Sequence, residues 1–400
     1  MTCLHTQSDQ PHLPALDTLV QSEVDAHHIG GGVLLVTHGD KIVHKRAYGY
    51  AQEFDYDLNK MDPPVMMSVD DMFDLASLTK VFSTTFGIMM LVDEGKIGLD
   101  DPVHEYLPEF TGPEKDKITI RNLLTHSSGL YQWQPLYYHA SNDSETYRYI
   151  CSLPLEYPVG AGRHYSDLGF MMLGYLIQKV SGMPLDQFMN SRLYKPLALQ
   201  HISFNPKQHG FDHFAATSHG NPFEKHMVYD DHFGYVCNED PDSWNGWRHY
   251  TLVGEVNDGN SYYANNGVAG HAGLFSTVDD LHVLLNLMLS HGVFHGDTLI
   301  DPSVIQQFLT KDQYDNGLGW ALDPDVIMAH GAPEGAFGHT GFTGTNVVVM
   351  PAQKVIIIFL TNRQNVGPMP SGYYYNLNDT RQKIVNIVLK YIQGAQKKSN

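Results

Sequence analysis

The 400-residue sequence predicts an α/β (α+β) fold. One antiparallel sheet, of a five-stranded type, draws its strands from both ends of the chain, and a mostly helical domain is inserted between them. Three observations predict it. Strand-like runs lie near the two termini, helical runs and long loops fill the middle, and one helical segment stands outside the strands at either end. The division expected is a discontinuous sheet domain, 1–83 plus 315–400, and a helical domain, 84–314, with the active site at their junction.

The elements follow in order. Leu16, Leu19, Val20 and Val24 recur at helical spacing. The run "GGGVLLVTHGDKIVHKRAYGYA" reads as two strands about a His38-Gly39-Asp40 turn. A helix begins at or near Ser77 and stops at Gly95, a residue suited to the left-handed cap. "LGFMMLGYLIQKVSG" (168–182) is a helix stopped by Gly182, and "TVDDLHVLLNLMLSHG" (277–292) is one capped by Thr277 and stopped by Gly292. The stretch 205–265 is irregular and rich in Asp, His, Asn and aromatics, as loops over a domain junction would be. After 315 strands return in "AFGHTGF", "TGTNVVVMP" and "KVIIIFLTN", and the amphipathic "NDTRQKIVNIVLKYI" closes the chain.

Composition excludes some functions. Lys and Arg number 25 against 44 Asp and Glu, a net charge of −19, which repels phosphate backbones and anionic lipid; neither nucleic acid nor a membrane surface is an expected partner. Cys3, Cys151 and Cys237 have neither metal-ligand nor disulfide-framework spacing. The N-terminal segment lacks a basic start and an apolar core, and the apolar run 81–92 is too short to span a bilayer, so a cytoplasmic protein is expected. Residues 209–232 hold His209, Asp212, His213, His219, His226, Asp230, Asp231 and His232, but no paired-histidine motif on a convincing helix; no metal and no cofactor is expected.

Three stretches carry chemistry. In "FDLASLTKVFSTTFG" (73–87), Ser77 and Lys80 are neighbours at i and i+3, and Ser77 stands at the positive end of a helix. A serine hydroxyl needs a base, and Lys80 is one if burial strips its proton. In "GRHYSDLGFMMLG", Tyr165 and Asp167 alternate in an extended segment, so both project to one side; a tyrosine phenolate beside a cation can serve as general base toward a serine. In "FGHTGFTGTNVVV", His339, Thr340 and Gly341 precede a strand; Gly341 permits close backbone approach, and the Phe342 N–H can join that of Ser77 as a two-donor oxyanion hole.

Together these motifs resemble the serine β-lactamase-like hydrolases, the group of class C β-lactamases, penicillin-binding DD-peptidases, esterases and amidases. The resemblance spans about residues 15–395 and includes "ITIRNLLTHSSGL" (118–130), "YKPLAL" (194–199) and "GVAGHAGLFSTVDDL" (267–281). It implies Ser77 as the acylated nucleophile, Lys80 as base or electrostatic partner, Tyr165 as proton shuttle, the Ser77 and Phe342 amides as oxyanion hole, and His339 as the third-motif cation. Asp167 stands where many members have Asn; it should keep Lys80 protonated and shift the base role to Tyr165, with Lys80 lowering the phenol. His339 replaces the usual lysine, which weakens an antibiotic-hydrolase reading. Tyr131, Trp133, Trp247, Arg248 and Asp258 are expected on the substrate rim with Thr340 and Gly341. The closer resemblance, to muropeptide amidases and relatives of a penicillin-binding carboxypeptidase, implies a small-molecule or short-peptide substrate derived from the cell wall. A carboxylesterase of short acyl esters, a β-lactamase and a non-catalytic penicillin-binding sensor are the alternatives. Oligomeric state is left open.

Overall fold

A computed structural model describes residues 11–233, 237 and 239–399. Its principal sheet has strands β1 (Gly31–His38), β2 (Lys41–Phe54), β3 (Lys60–Met66), β9 (Phe337–Thr340), β10 (Asn346–Met350) and β11 (Val355–Thr361). They run antiparallel in the order β3-β2-β1-β11-β10-β9. The sixth strand, beyond the five expected, is β3, whose Pro63 and Pro64 suit an edge position. A second sheet joins β4 (Phe73–Asp74), β6 (Leu274–Ser276) and β5 (Ser203–Phe204), and β7 (Val293–Phe294) pairs with β8 (Asp297–Thr298).

Period-two alternation sorts the sheet into two buried faces. Leu34, Val36, Val348, Ile357 and Phe359 meet Leu16 and Val20 of helix α1 (Pro14–Asp25) and Ile384, Val388 and Ile392 of the closing helix. Val33, Leu35, Val347, Ile356 and Ile358 meet the helical region, including Phe82, Phe86 and Trp320. Burial on both sides explains why β11 reads "VIIIFLT" with no polar alternation.

The further helices that matter here are α2 (Phe86–Asp93), α3 (Asp167–Ser181), α4 (Pro222–Tyr229), α5 (Val278–Leu289) and α6 (Asn378–Ser399). Ahead of α2, Lys80–Thr85 forms a wider π-helical turn, a feature that often marks functional sites. Gly95 then adopts φ +65° and ends the segment, as Gly182 at φ +71° ends α3. Among the described residues no helix is long and apolar enough to cross a membrane. Neither Cys151 nor Cys237 is in a disulfide, and Cys3 lies outside the described residues.

Gly270 shows how tightly the loop before β6 is pressed onto α3. A Cβ there would lie 2.1 Å from the Phe170 carbonyl oxygen. Gly270→Ala is therefore expected to destabilise the protein by about 1–3 kcal/mol, the usual cost of overpacking, read from a denaturant midpoint.

Candidate active site

Ser77 is held by a buried turn anchored at Asp74. One Asp74 oxygen accepts the Ala76 N–H at 2.8 Å and the other the Asn257 N–H at 2.6 Å. Burial nevertheless raises the Asp74 carboxyl to about 6. Ala76 sits at φ +45°, a strained value for a residue with a Cβ, and these bonds offset it. The turn between β9 and β10 is stapled alongside: Thr343 Oγ1 donates to the Asp74 carbonyl at 2.7 Å and Thr345 Oγ1 to the Leu75 carbonyl at 3.2 Å. Gly341 must be glycine, because a Cβ would fall 2.1 Å from Thr345 Oγ1 and 2.5 Å from the Leu75 carbonyl oxygen. Among the described residues neither the Ser77 nor the Phe342 amide N–H has a hydrogen-bond acceptor.

Lys80 is fully buried on the π-helical turn. Its ammonium has three partners: Ser77 Oγ at 2.9 Å, the His271 carbonyl at 3.2 Å and Asp167 Oδ1 at 2.7 Å. Burial presses the lysine pKa down, but Asp167 and Tyr165 together outweigh it, and the group stands above its ordinary value. Lys80 is thus a buried cation held by two hydrogen bonds and an ion pair. The expectation that Asp167 keeps it protonated agrees with this geometry. Asp167 does not cap α3; Ser166 does, its Oγ accepting the Gly169 N–H at 3.1 Å, which leaves Asp167 at the first helical position for Lys80.

The Tyr165 ring lies 4.9 Å from Lys80 Nζ. Lys80 favours the phenolate, as expected, yet burial is the larger influence and the phenol is raised overall. Tyr165 therefore rests as a neutral phenol, a correction to the reading of it as a ready-made base. His126 packs on it with ring centroids 4.4 Å apart, at φ +57°, and its Nδ1 accepts the Ser166 N–H at 2.9 Å.

His339 corrects a second expectation. It is buried at the end of β9, and burial with the nearby Lys80 charge lowers it to about 3, so it is not the expected cation. Its Nδ1–H donates to the Thr340 carbonyl at 2.8 Å.

A cavity of about 170 Å³ opens on Ser77, walled by Trp133, Tyr165, Phe223, Met227 and Phe342 and, on the polar side, by Gln132, Asp167, Glu224, Asn257, Asp258 and His271. Trp133 and Asp258 of the expected rim line it; Tyr131, Thr340 and Gly341 are not among the residues that do. Trp247 and Arg248 are corrections. Trp247 is buried against Tyr137 and Trp244. Arg248 is buried as a clamp, donating to Asn221 Oδ1 at 3.1 Å and to the Val256 and Asn257 carbonyls at 2.8 Å each. It looked like a substrate cation in sequence but holds the Asn257–Asp258 loop in place.

Sequence reasoning missed Glu224, Asn257 and Gln132, which have no local signature, and His271, which lies within the quoted "GVAGHAGL" but received no role. His271 Nε2 is 2.9 Å from Asp258 Oδ1. Donor atoms of Asp167, Asp258 and His271 lie within 4.8 Å of one another, but Lys80 engages Asp167 and the other two engage each other, so the chemistry of the set is that of a proton network.

Two outcomes follow from the charges. Asp167→Asn leaves Lys80 buried without its counter-ion; a stability loss of roughly 3 kcal/mol is expected in denaturant titration, and the pH–rate profile should gain a limb falling with pH as the lysine loses its proton. His339, being neutral above about 3, should show no titration between pH 5 and 8; acylation rates of a carboxylated substrate and its ester, measured against pH, should run parallel over that range.

A family model described as Beta-lactamase matches residues 16–380. The N-acetylmuramyl-L-alanine amidase of Bacillus subtilis (strain 168) is 35% identical over 376 residues, covering 88% of this chain and 81% of that protein. Among solved structures, EstCE1, a hydrolase with promiscuous acyltransferase activity, superposes with a TM-score of 0.69 at 20% identity, covering 93% of this chain and 97% of its own. A class C β-lactamase from Rhodobacter sphaeroides gives 0.66 at 18% identity, covering 95% and 100%. The two structures share the fold, and the family match spans both halves of the sheet and everything between them: the chain belongs to the Beta-lactamase family and is a serine hydrolase.

Proposed function

We propose that this chain is an amidase of cell-wall-derived muropeptides that acts through an acyl-enzyme on Ser77. The observation that carries the substrate class is the charge of the cavity. Three carboxyl groups and four aromatic rings line it, with no lysine or arginine among the lining residues. A substrate carboxylate beside the scissile bond, as in a β-lactam or a carboxypeptidase substrate, would meet Asp167, Glu224 and Asp258 rather than a cation. A neutral sugar-bearing acyl group suits it: aromatic faces for stacking and amide and carboxyl groups for hydroxyls. The amidase relative's name points the same way.

The chemistry requires no resting phenolate. In one relay Tyr165 Oη leads by giving its own proton to the departing amine nitrogen and takes up the proton of Ser77 Oγ as that oxygen bonds to the carbonyl carbon. The Lys80 ammonium stabilises the phenolate character that develops between the two transfers. The unpaired amides of Ser77 and Phe342 receive the oxyanion, a contribution of about 3 kcal/mol per donor in such sites. Water then enters where the amine left, and Tyr165 runs the transfers in reverse.

A second reading, a carboxylesterase of short acyl groups, is favoured by the small cavity, about 170 Å³. Comparing kcat/KM for N-acetylmuramyl-L-alaninamide, which has no carboxylate beside the scissile bond, with that for p-nitrophenyl butyrate separates the two. For the shared mechanism, a fluorophosphonate should add one label, located by mass analysis at Ser77. Ser77→Ala should lose both label and turnover with a thermal midpoint within a few degrees of the parent. Turnover retained by Ser77→Ala would remove the covalent mechanism.

A further inference from the structure

Glu224 is the cavity acid that the mechanism above leaves unused. It projects from α4, is 8% exposed, and lines the same cavity as Ser77. Oε1 accepts the Gly259 N–H at 2.6 Å. Oε2 is buried with no well-formed hydrogen bond, beside the Tyr137 hydroxyl, which is equally unsatisfied. The carboxyl group lies directly against the backbone there: at Gly259 a Cβ would fall 2.1 Å from Oε2.

The groups facing Glu224 determine its charge. Asp258 confronts it from the N-cap of the short helix Gly259–Ala264, and Arg248 lies behind. Arg248 has already given its N–H groups to Asn221, Val256 and Asn257, so it offers Glu224 only distant charge. Tyr137, Tyr263 and Tyr374 complete the surroundings, and all three phenols are raised and neutral. Asp258 is lowered despite its burial, because His271 and the Ser261 amide stabilise its carboxylate. Glu224 is pushed up to about 8, by burial first and by Asp258 second. Of the two carboxyl groups, Asp258 is ionised and Glu224 keeps the proton.

We infer that Glu224, backed by Asp258, is a specificity-determining residue of this cavity that works as an uncharged carboxylic acid, hydrogen-bonding a hydroxyl or acetamido group on the acyl half of the substrate and rejecting a carboxylate there. A neutral acid both donates and accepts, as those groups do. Phe223, Met227 and Trp133, which wall the same cavity, penalise an ionised glutamate. A cationic ligand would first have to displace the proton. The inference rests on the muropeptide reading of the substrate.

The test uses the Ser77→Ala protein, in which chemistry is blocked, titrated calorimetrically with N-acetylmuramyl-L-alaninamide from pH 6 to 9. The ligand itself has no group that titrates in this range. Binding should hold steady to pH 7 and weaken about tenfold by pH 9, as a group with a pKa near ~8 loses its proton. Adding Glu224→Gln, which imitates the protonated acid, should keep the pH 7 affinity within about threefold and abolish the alkaline weakening. Adding Glu224→Leu should weaken binding about tenfold or more at every pH. Thermal midpoints confirm that each variant is folded, and the pH dependence with Glu224 intact needs no new variant at this position. Tighter binding at higher pH, or a tenfold loss on Glu224→Gln at pH 7, would overturn the inference in favour of an ionised carboxylate reading a cation. Absence of binding at every pH, with parent Ser77 still labelled by the fluorophosphonate, would overturn the muropeptide reading and this inference with it, leaving the serine hydrolase chemistry intact.

Discussion

A buried ammonium is the constraint on which the rest of this structure depends. Lys80 reaches Ser77 from its own segment, Asp167 at the start of α3 and the His271 carbonyl in the loop before β6. Such a cation is tolerable in a protein interior only when paired and fully hydrogen-bonded, and removing one partner of a buried pair typically costs about 3–5 kcal/mol. Three segments far apart in sequence must therefore meet within bonding distance of one nitrogen. The Gly270 contact on α3, the Ser166 cap and the Asp74 turn all serve that convergence.

The same charge organises its neighbours. It adds to the burial that keeps His339 neutral, pulls the Tyr165 phenol toward ionisation against burial, and lies within electrostatic reach of Asp258. Charge in this cleft is settled by a hierarchy: Lys80 and Asp167 hold the full charges, Asp258 and His271 form a second pair, and the remaining polar side chains of the wall are neutral or nearly so. The cleft consequently presents a neutral, hydrogen-bonding surface to the acyl group, although the chain as a whole carries a net charge of −19.

Much of this was legible in the sequence because it is local. The Ser77–Lys80 spacing, the proximity of Tyr165 to Asp167, the glycines that end helices and the alternation in the strands are each written within a few residues. What could not be read depends on burial by distant parts of the chain. His339 looked like the third-motif cation until β9 was covered. Arg248 looked like a rim cation until the Val256 and Asn257 carbonyls closed around it. Glu224 had no motif, since its partner Gly259 lies on another element. The sixth strand was hidden for a different reason: β3 is an edge with two prolines and mostly exposed residues, so its pattern lacks the apolar period.

The pairing of β1 with β11 has a temporal side. Leu34 lies opposite Phe359 and Val36 opposite Ile357, so an interior ladder of the sheet joins residues 31–38 to residues 355–361. During synthesis β1 and β2 can form a hairpin, but the inner edge of β1 stays open until residues 355–361 leave the ribosome. Contacts of such long sequence separation form late and slowly, and the waiting edge is apolar. The cleft is assembled last as well, because the β9–β10 turn that brings Phe342 to Ser77 belongs to the same late segment. A nascent or C-terminally shortened chain thus carries Ser77 and Lys80 without the second oxyanion donor, and competence for hydrolysis arrives only with completion of the sheet.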